Sequence, residues 1–319
     1  MNASGTALGK VLAGLADGAS PSRPTLQVFS DLDPASLQTV AQAWPGIPSK
    51  QKYLLLDALH ELSDESTLVS FDDLARHLLT DPDGQVRLRA VRLLNESDDP
   101  KLTALFIKML ASDDDAETRR EVASALGRYV ELGELEEIPA AVFHDVEDAL
   151  LAKVNGDDQV VIRRSALESL GYSSRPEVAT LIQSSFSREN PDWQASALVA
   201  MGASSDERWE DQVLAALLHE NIAVRLAAVE AAGELRLASA RTLLLQVLEE
   251  EDADEISSAA IWSLSQLGGE DARLYIQNLL DLAEDEEDAQ FLEDALENLE
   301  FTDELNRFDL MSVEPDLDE

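Results

Sequence analysis

The chain has 319 residues, 45% hydrophobic and only 5% aromatic, with 64 acidic against 24 basic side chains and a formal net charge of −40. That charge repels phosphate backbones and anionic bilayers, so neither nucleic acid nor a membrane is an expected partner. The absence of cysteine excludes disulfides, thiolate metal sites and a cysteine nucleophile, and no run approaches the roughly 18–20 apolar residues needed to span a bilayer.

Residues 1–33 are Ala-, Gly- and Ser-rich as far as Ser20, followed by Pro21-Ser22-Arg23-Pro24. They read as a partly ordered leader ending in a linker. Residues 6–17 fit a weak amphipathic helix, but Lys10 interrupts their apolar run, a poor match to a secretory signal, so the cytoplasm is the expected compartment. Residues 34–300 then repeat. An apolar triplet at helical spacing returns as Ala58/Leu59/Leu62, Ala90/Val91/Leu94, Val122/Ala123/Leu126, Ala166/Leu167/Leu170, Ala197/Leu198/Met201, Ala228/Val229/Ala232, Ala260/Ile261/Leu264 and Ala295/Leu296/Leu299. First members lie 32, 32, 44, 31, 31, 32 and 35 residues apart. Such self-similarity predicts stacked two-helix units, an all-α solenoid of about eight pairs.

The triplet belongs to the second helix of each pair, and numbering from its first member aligns further positions. Position −4 holds Leu54, Val86, Thr118, Ile162, Trp193, Val224, Ile256 and Phe291, on the same helical face as the triplet. Position −7 holds Asp83, Asp115, Asn190, Asn221 and Asp288, acceptors suited to capping a helix start. Arg87, Arg119, Arg163 and Arg225 stand at position −3.

Asp or Asn, then Val-Arg, then Ala-hydrophobic and Leu-Gly resembles the HEAT repeat, in particular the short bacterial type of phycobilisome lyases. The clearest copies are Asp83-Gly84-Gln85-Val86-Arg87, Ile162-Arg163-Arg164-Ser165-Ala166-Leu167-Glu168-Ser169-Leu170-Gly171 and Val224-Arg225-Leu226-Ala227-Ala228-Val229. The resemblance implies a ladder of arginines and acidic groups between repeats, with repeats one and eight as atypical caps. It is nearly silent about activity. Bilin-lyase-type subunits share the repeat, which leaves a modifying enzyme as one alternative reading. A di-iron hydroxylase of this type ligates metal through repeated His-Glu pairs. Here only His60-Glu61 and His219-Glu220 occur, out of phase with each other, so no metal site and no cofactor are expected. Asp81-Pro82-Asp83-Gly84 and Asp113-Asp114-Asp115 lack the full calcium-loop pattern.

Two irregularities stand out. The 44-residue spacing places about a dozen extra residues around 129–138, Gly133 among them, and reads as an enlarged loop between repeats. The last 39 residues carry 17 acidic side chains against Arg307, and the helical pattern fades after Phe301, so 301–319 reads as an acidic tail.

A stack of helix pairs exposes a long ridge of second helices, which points to a non-catalytic scaffold, a monomer binding another protein. The helical wheel puts positions −5, −2 and +2 on that ridge. It nominates Arg120 and Arg164 in repeats three and four, and Ala195, Val199, Ala223, Leu226 and Trp262 in repeats five to seven, with Glu293 and Glu297 beyond. The remaining alternative is an acidic nucleic-acid mimic that occupies a basic protein.

Overall fold

The computed structural model describes residues 3–250 and 253–312, which form eighteen α-helices and, among the described residues, no strand. The chain divides into two compact units, Met1–Ser169 and Leu170–Glu319. Each is four helix pairs stacked as a solenoid.

In the first unit, α1 (Ala3–Ala16) and the single turn α2 (Arg23–Leu26) precede the pairs. These are α3 (Pro34–Ala43) with α4 (Ser49–Glu65), α5 (Asp72–Leu78) with α6 (Gly84–Arg92), α7 (Thr103–Ser112) with α8 (Ala116–Glu134), and α9 (Ala140–Asn155) with α10 (Val160–Ser169). The second unit pairs α11 (Pro176–Phe186) with α12 (Pro191–Ala203), α13 (Glu210–Ala216) with α14 (Ile222–Glu234), α15 (Arg241–Glu250) with α16 (Asp254–Leu267), and α17 (Glu270–Leu282) with α18 (Glu286–Ser312). Within each unit the second helices lie side by side, α4–α6–α8–α10 and α12–α14–α16–α18.

The expected stripe is the core: Val86, Ile162, Ile256, Ala90, Ala166, Ala228 and Ala260 are all fully buried. Each second helix begins on a cap. Asp83 accepts from the Gln85 amide, Asp115 from Thr118, Asn190 from Trp193, and Asn221 from Ala223 and Val224. In the last repeat α18 starts earlier than expected, and Asp285 rather than Asp288 accepts from the helix start, from the Glu287 amide at 2.8 Å.

Four expectations are corrected. Residues 3–16 are not a loose leader: Leu8, Leu12 and Leu15 form an i, i+4, i+7 stripe that is buried, and α1 packs on α3 and α4, while Lys10 points off that stripe into solvent. The extra residues near 129–138 are not a loop. They lengthen α8 to 19 residues and precede a 16-residue α9, with Tyr129, Val130 and Leu132 buried. Gly133 makes room for the Phe143 ring, since a Cβ there would lie 2.1 Å from Phe143 Cδ2. The first repeat is shifted by one: Leu55 and Leu56 are buried while Leu54 is exposed. Finally, the helix continues past Phe301 to Ser312, held where Asp303 accepts from the Gly269 amide and pairs with Arg273. The rest of the expected tail, 313–319, lies outside the described residues.

Candidate partner-binding face

Close approach of the second helices begins with small residues at position +5. A Cβ on Gly171 would sit 2.7 Å from the Ala200 carbonyl oxygen and 2.8 Å from its Cα, and one on Gly202 would sit 3.1 Å from the Ala231 Cα. Buried hydroxyls fasten the same seam, Ser169 to the Ala123 carbonyl and Ser263 to the Val229 carbonyl, each at 2.8 Å. Inside each unit an inner second helix, such as α8 or α14, is therefore covered by its own first helix and by the second helices on either side, leaving one narrow strip.

In the first unit that strip is polar and its charges are compensated. Arg89 bonds Asp57 at 2.7 Å, Arg92 and Arg120 both reach Glu121, at 3.3 and 3.1 Å, and Arg128 bridges Asp98 and Glu131, each at 2.9 Å. Arg120 and Arg164 are half-buried here. The Arg ladder implied by the repeat is clearest in this unit, and Arg225 in the second unit makes its own bond to a carbonyl six residues back, that of His219. Arg87 joins Asp113, Arg119 joins Asp158, and each also bonds a carbonyl six residues back, of Asp81 and Asp113.

In the second unit the strip is apolar and anionic. Val199 on α12 and Trp262 on α16 are 36% and 41% exposed at the same register, position +2, on either side of α14. Leu226 is half-buried and Ala223 exposed on α14. Ala195, expected on this ridge, is instead buried, at 7% exposure, and is not available to a partner. The two arginines and the apolar residues thus belong to different units, and only Val199, Ala223, Leu226 and Trp262 form an accessible set.

Two residues passed over in the sequence complete that strip. Glu230 occupies position +2 between Val199 and Trp262, and Glu234, one turn on, projects over Gly202, so that a Cβ on the glycine would touch its Oε2. Each keeps an exposed side chain, yet protein on several sides desolvates them. Burial, and then the charge of Glu230, pushes the Glu234 carboxyl up to about 7. Burial, and then Glu255 on α16, raises Glu230. Their signal in the sequence was positional: both fall on the +2 and +6 register. Phe301 of α18, 59% exposed, shares position +6 with Glu234.

The histidines of the two His-Glu dipeptides have ordinary surroundings. His60 Nδ1 lies 3.6 Å from Asp64, and His219 Nδ1 accepts from the Asn221 amide at 3.0 Å, as Asp81 and Asp113 accept from the amides of Asp83 and Asp115 in their own repeats. Among the described residues no group of three or more His, Cys, Asp or Glu could hold a metal ion, and no helix is long and apolar enough to cross a membrane.

A family model described as HEAT repeats matches residues 71–142 and 210–300, one stretch in each unit and together just over half of the chain. The chain belongs to the HEAT-repeat family. Solved structures similar to this HEAT solenoid include yeast importin-beta, at 14% identity and TM-score 0.47 over 92% of this chain and 46% of that one. YibA of E. coli matches at 17% identity and TM-score 0.41, over 76% of this chain and 96% of the other. Human deoxyhypusine hydroxylase matches at 18% identity and TM-score 0.35, over 83% and 96%. The chain spans just under half the length of importin-beta. No curated protein sequence matches it.

Proposed function

We propose that this HEAT-repeat protein is a non-catalytic scaffold that binds another protein along the strip of second helices α12, α14 and α16. The observation that carries the reading is the exposure of Trp262 and Val199 in one register, on helices whose other large apolar side chains are buried except Ile222 at the start of α14 and the half-buried Leu226. Water-exposed tryptophan next to aliphatic side chains is costly to leave uncovered, and aromatic anchors of this kind dominate interface energetics. A photo-crosslinking amino acid placed at position 262 tests this. It should give a discrete adduct with a protein in native lysate, while the same group at the exposed Leu274 of α17 should not. Adducts at both positions, or at neither, would remove the strip as the docking surface.

A further inference from the structure

We propose that the strip docks a lysine- or arginine-rich segment of its partner, with an apolar side chain of that segment seated on Trp262 and Leu226 and its cations on Glu230 and Glu234. This rests on the reading of the strip as a docking surface and specifies what it accepts.

Charge complementarity is the first argument. The second helices of the second unit contain almost no cations: α12 and α16 have none, α14 has Arg225 and α18 has Arg307. Arg225 donates to the His219 and Glu220 carbonyls at the start of α14, away from the strip. The same register of the first unit carries Arg92 and Arg128, paired with carboxylates. Glu230 and Glu234 instead feel like charges, Glu255 on Glu230 and Glu230 on Glu234, and among the described residues no cation offsets their desolvation. A cation brought by a partner would remove both penalties at once, a gain realised only in the complex.

Geometry sets the spacing of that ligand. Glu230 and Glu234 are four residues apart on α14, about 6 Å along the helix. Val199 and Trp262 flank them on neighbouring helices, each on the order of 8–10 Å away across the strip. Glu293 and Glu297, exposed on α18, extend the anionic row on the far side of Trp262. A segment crossing the helices therefore meets apolar, anionic, apolar and anionic ground in turn.

The same charges argue against other occupants. A second copy of this chain, related by a two-fold axis on this face, would put Glu230 and Glu234 against their own counterparts. The chain's own last residues carry Glu314, Asp316, Asp318 and Glu319 and would be repelled. Phosphate-bearing ligands meet the same repulsion.

Three fluorescein-labelled peptides of about 14 residues test the proposal by anisotropy against the full chain: an amphipathic Lys/Leu sequence, its Glu/Leu counterpart and its Lys/Ser counterpart. The Lys/Leu peptide should bind, the Lys/Ser peptide should bind at least about tenfold more weakly, and the Glu/Leu peptide should not bind. The pair E230Q and E234Q should weaken Lys/Leu binding about tenfold and flatten its salt dependence. Asp211→Asn with Glu249→Gln, exposed on the first helices α13 and α15, should change little. If the Glu230/Glu234 variant loses helicity, the exposed pair E293Q and E297Q replaces it, with a smaller expected loss. Equal loss in the first-helix control would show generic surface charge and overturn the proposal, as would binding of the Glu/Leu peptide. A specific crosslink at position 262 without cationic-peptide binding would overturn this inference while the docking reading stands. Absence of both would overturn the two together.

Discussion

Arg87 donates to both carboxylate oxygens of Asp113, from Nε at 2.8 Å and Nη2 at 2.6 Å, while its Nη1 holds the Asp81 carbonyl at 2.8 Å. The Asp113 carbonyl in turn accepts from Arg119, whose guanidinium grips Asp158. Acid and arginine thus alternate from the second repeat to the fourth. The Asp113 side chain is only 6% exposed. Removing its partner leaves a desolvated carboxylate, which costs more than the pair itself contributes. Arg87→Ala should destabilise the first unit by roughly 3 kcal/mol, and Arg87→Lys should recover only part because lysine cannot make the bidentate contact. Thermal melts of the three proteins check this, and an unchanged midpoint for the alanine variant would make the ladder ornamental.

The two units should respond to pH in opposite senses. Burial pushes Asp113 up, but the Arg87 hydrogen bonds and charge outweigh it and leave the carboxyl lowered. The Arg119 hydrogen bond, with Lys153, holds Asp158 far below the usual range. Groups lowered in the fold stabilise it above their unfolded pKa, so this contribution disappears as pH falls below about 4. Glu234, raised to about 7, works the other way. Between the unfolded glutamate pKa and 7 the folded state holds the extra proton, so stability falls as pH rises through that window. Because its side chain is exposed, the effect is screened and should stay below about 1 kcal/mol. Glu234→Gln should raise the melting midpoint at pH 8 and leave it unchanged at pH 4. A larger gain at pH 4 would mean the carboxyl is not raised.

Two glycines in the same register should tolerate alanine differently. A Cβ on Gly171 meets the Ala200 carbonyl and Cα, which are backbone and cannot move without separating the helices. On Gly202 the nearest atom is the tip of Glu234, which can swing away, and the Ala231 Cα stands off at 3.1 Å. Gly171→Ala is expected to cost roughly 1–3 kcal/mol as overpacking, and Gly202→Ala clearly less. Equal melting points for the two variants would contradict the seam described for α12 and its neighbours.

The buried stripe was legible because it obeys one spacing. Val86, Ile162, Val224 and Ile256 fall where the triplets place them. The first repeat slipped because Leu54-Leu55-Leu56 offers two registers, and only packing decides which leucine faces out. Gly133 misled for a physical reason, since a glycine that admits a neighbouring ring looks the same in sequence as one that breaks a helix. The strip itself was half legible. A wheel drawn for one helix ignores what packs against it, which is why Ala195 was placed outside although it is only 7% exposed. Glu230 and Glu234 escaped because an acidic chain offers many carboxylates, and nothing but three-dimensional context distinguishes desolvated ones.

The last prediction separates binding from folding on the strip. Trp262 and Leu226 are the proposed anchors, but Trp262 keeps 41% of its surface in water and Leu226 is half-buried, so neither holds the core together. Leu170, by contrast, is fully buried. Trp262→Ala with Leu226→Ser should therefore reduce affinity for the crosslinked partner, or for the Lys/Leu peptide, by at least about tenfold, close to 1.4 kcal/mol. Far-UV helicity should be retained, and the fold should lose less than the roughly 3–5 kcal/mol of a buried tryptophan deletion. Leu170→Asp should show the opposite pattern, collapsing thermal stability by placing an unpaired charge in the packed layer. If the double variant unfolds as readily as Leu170→Asp, the two anchors are core residues. If it folds and binds like the parent, the docking surface lies elsewhere.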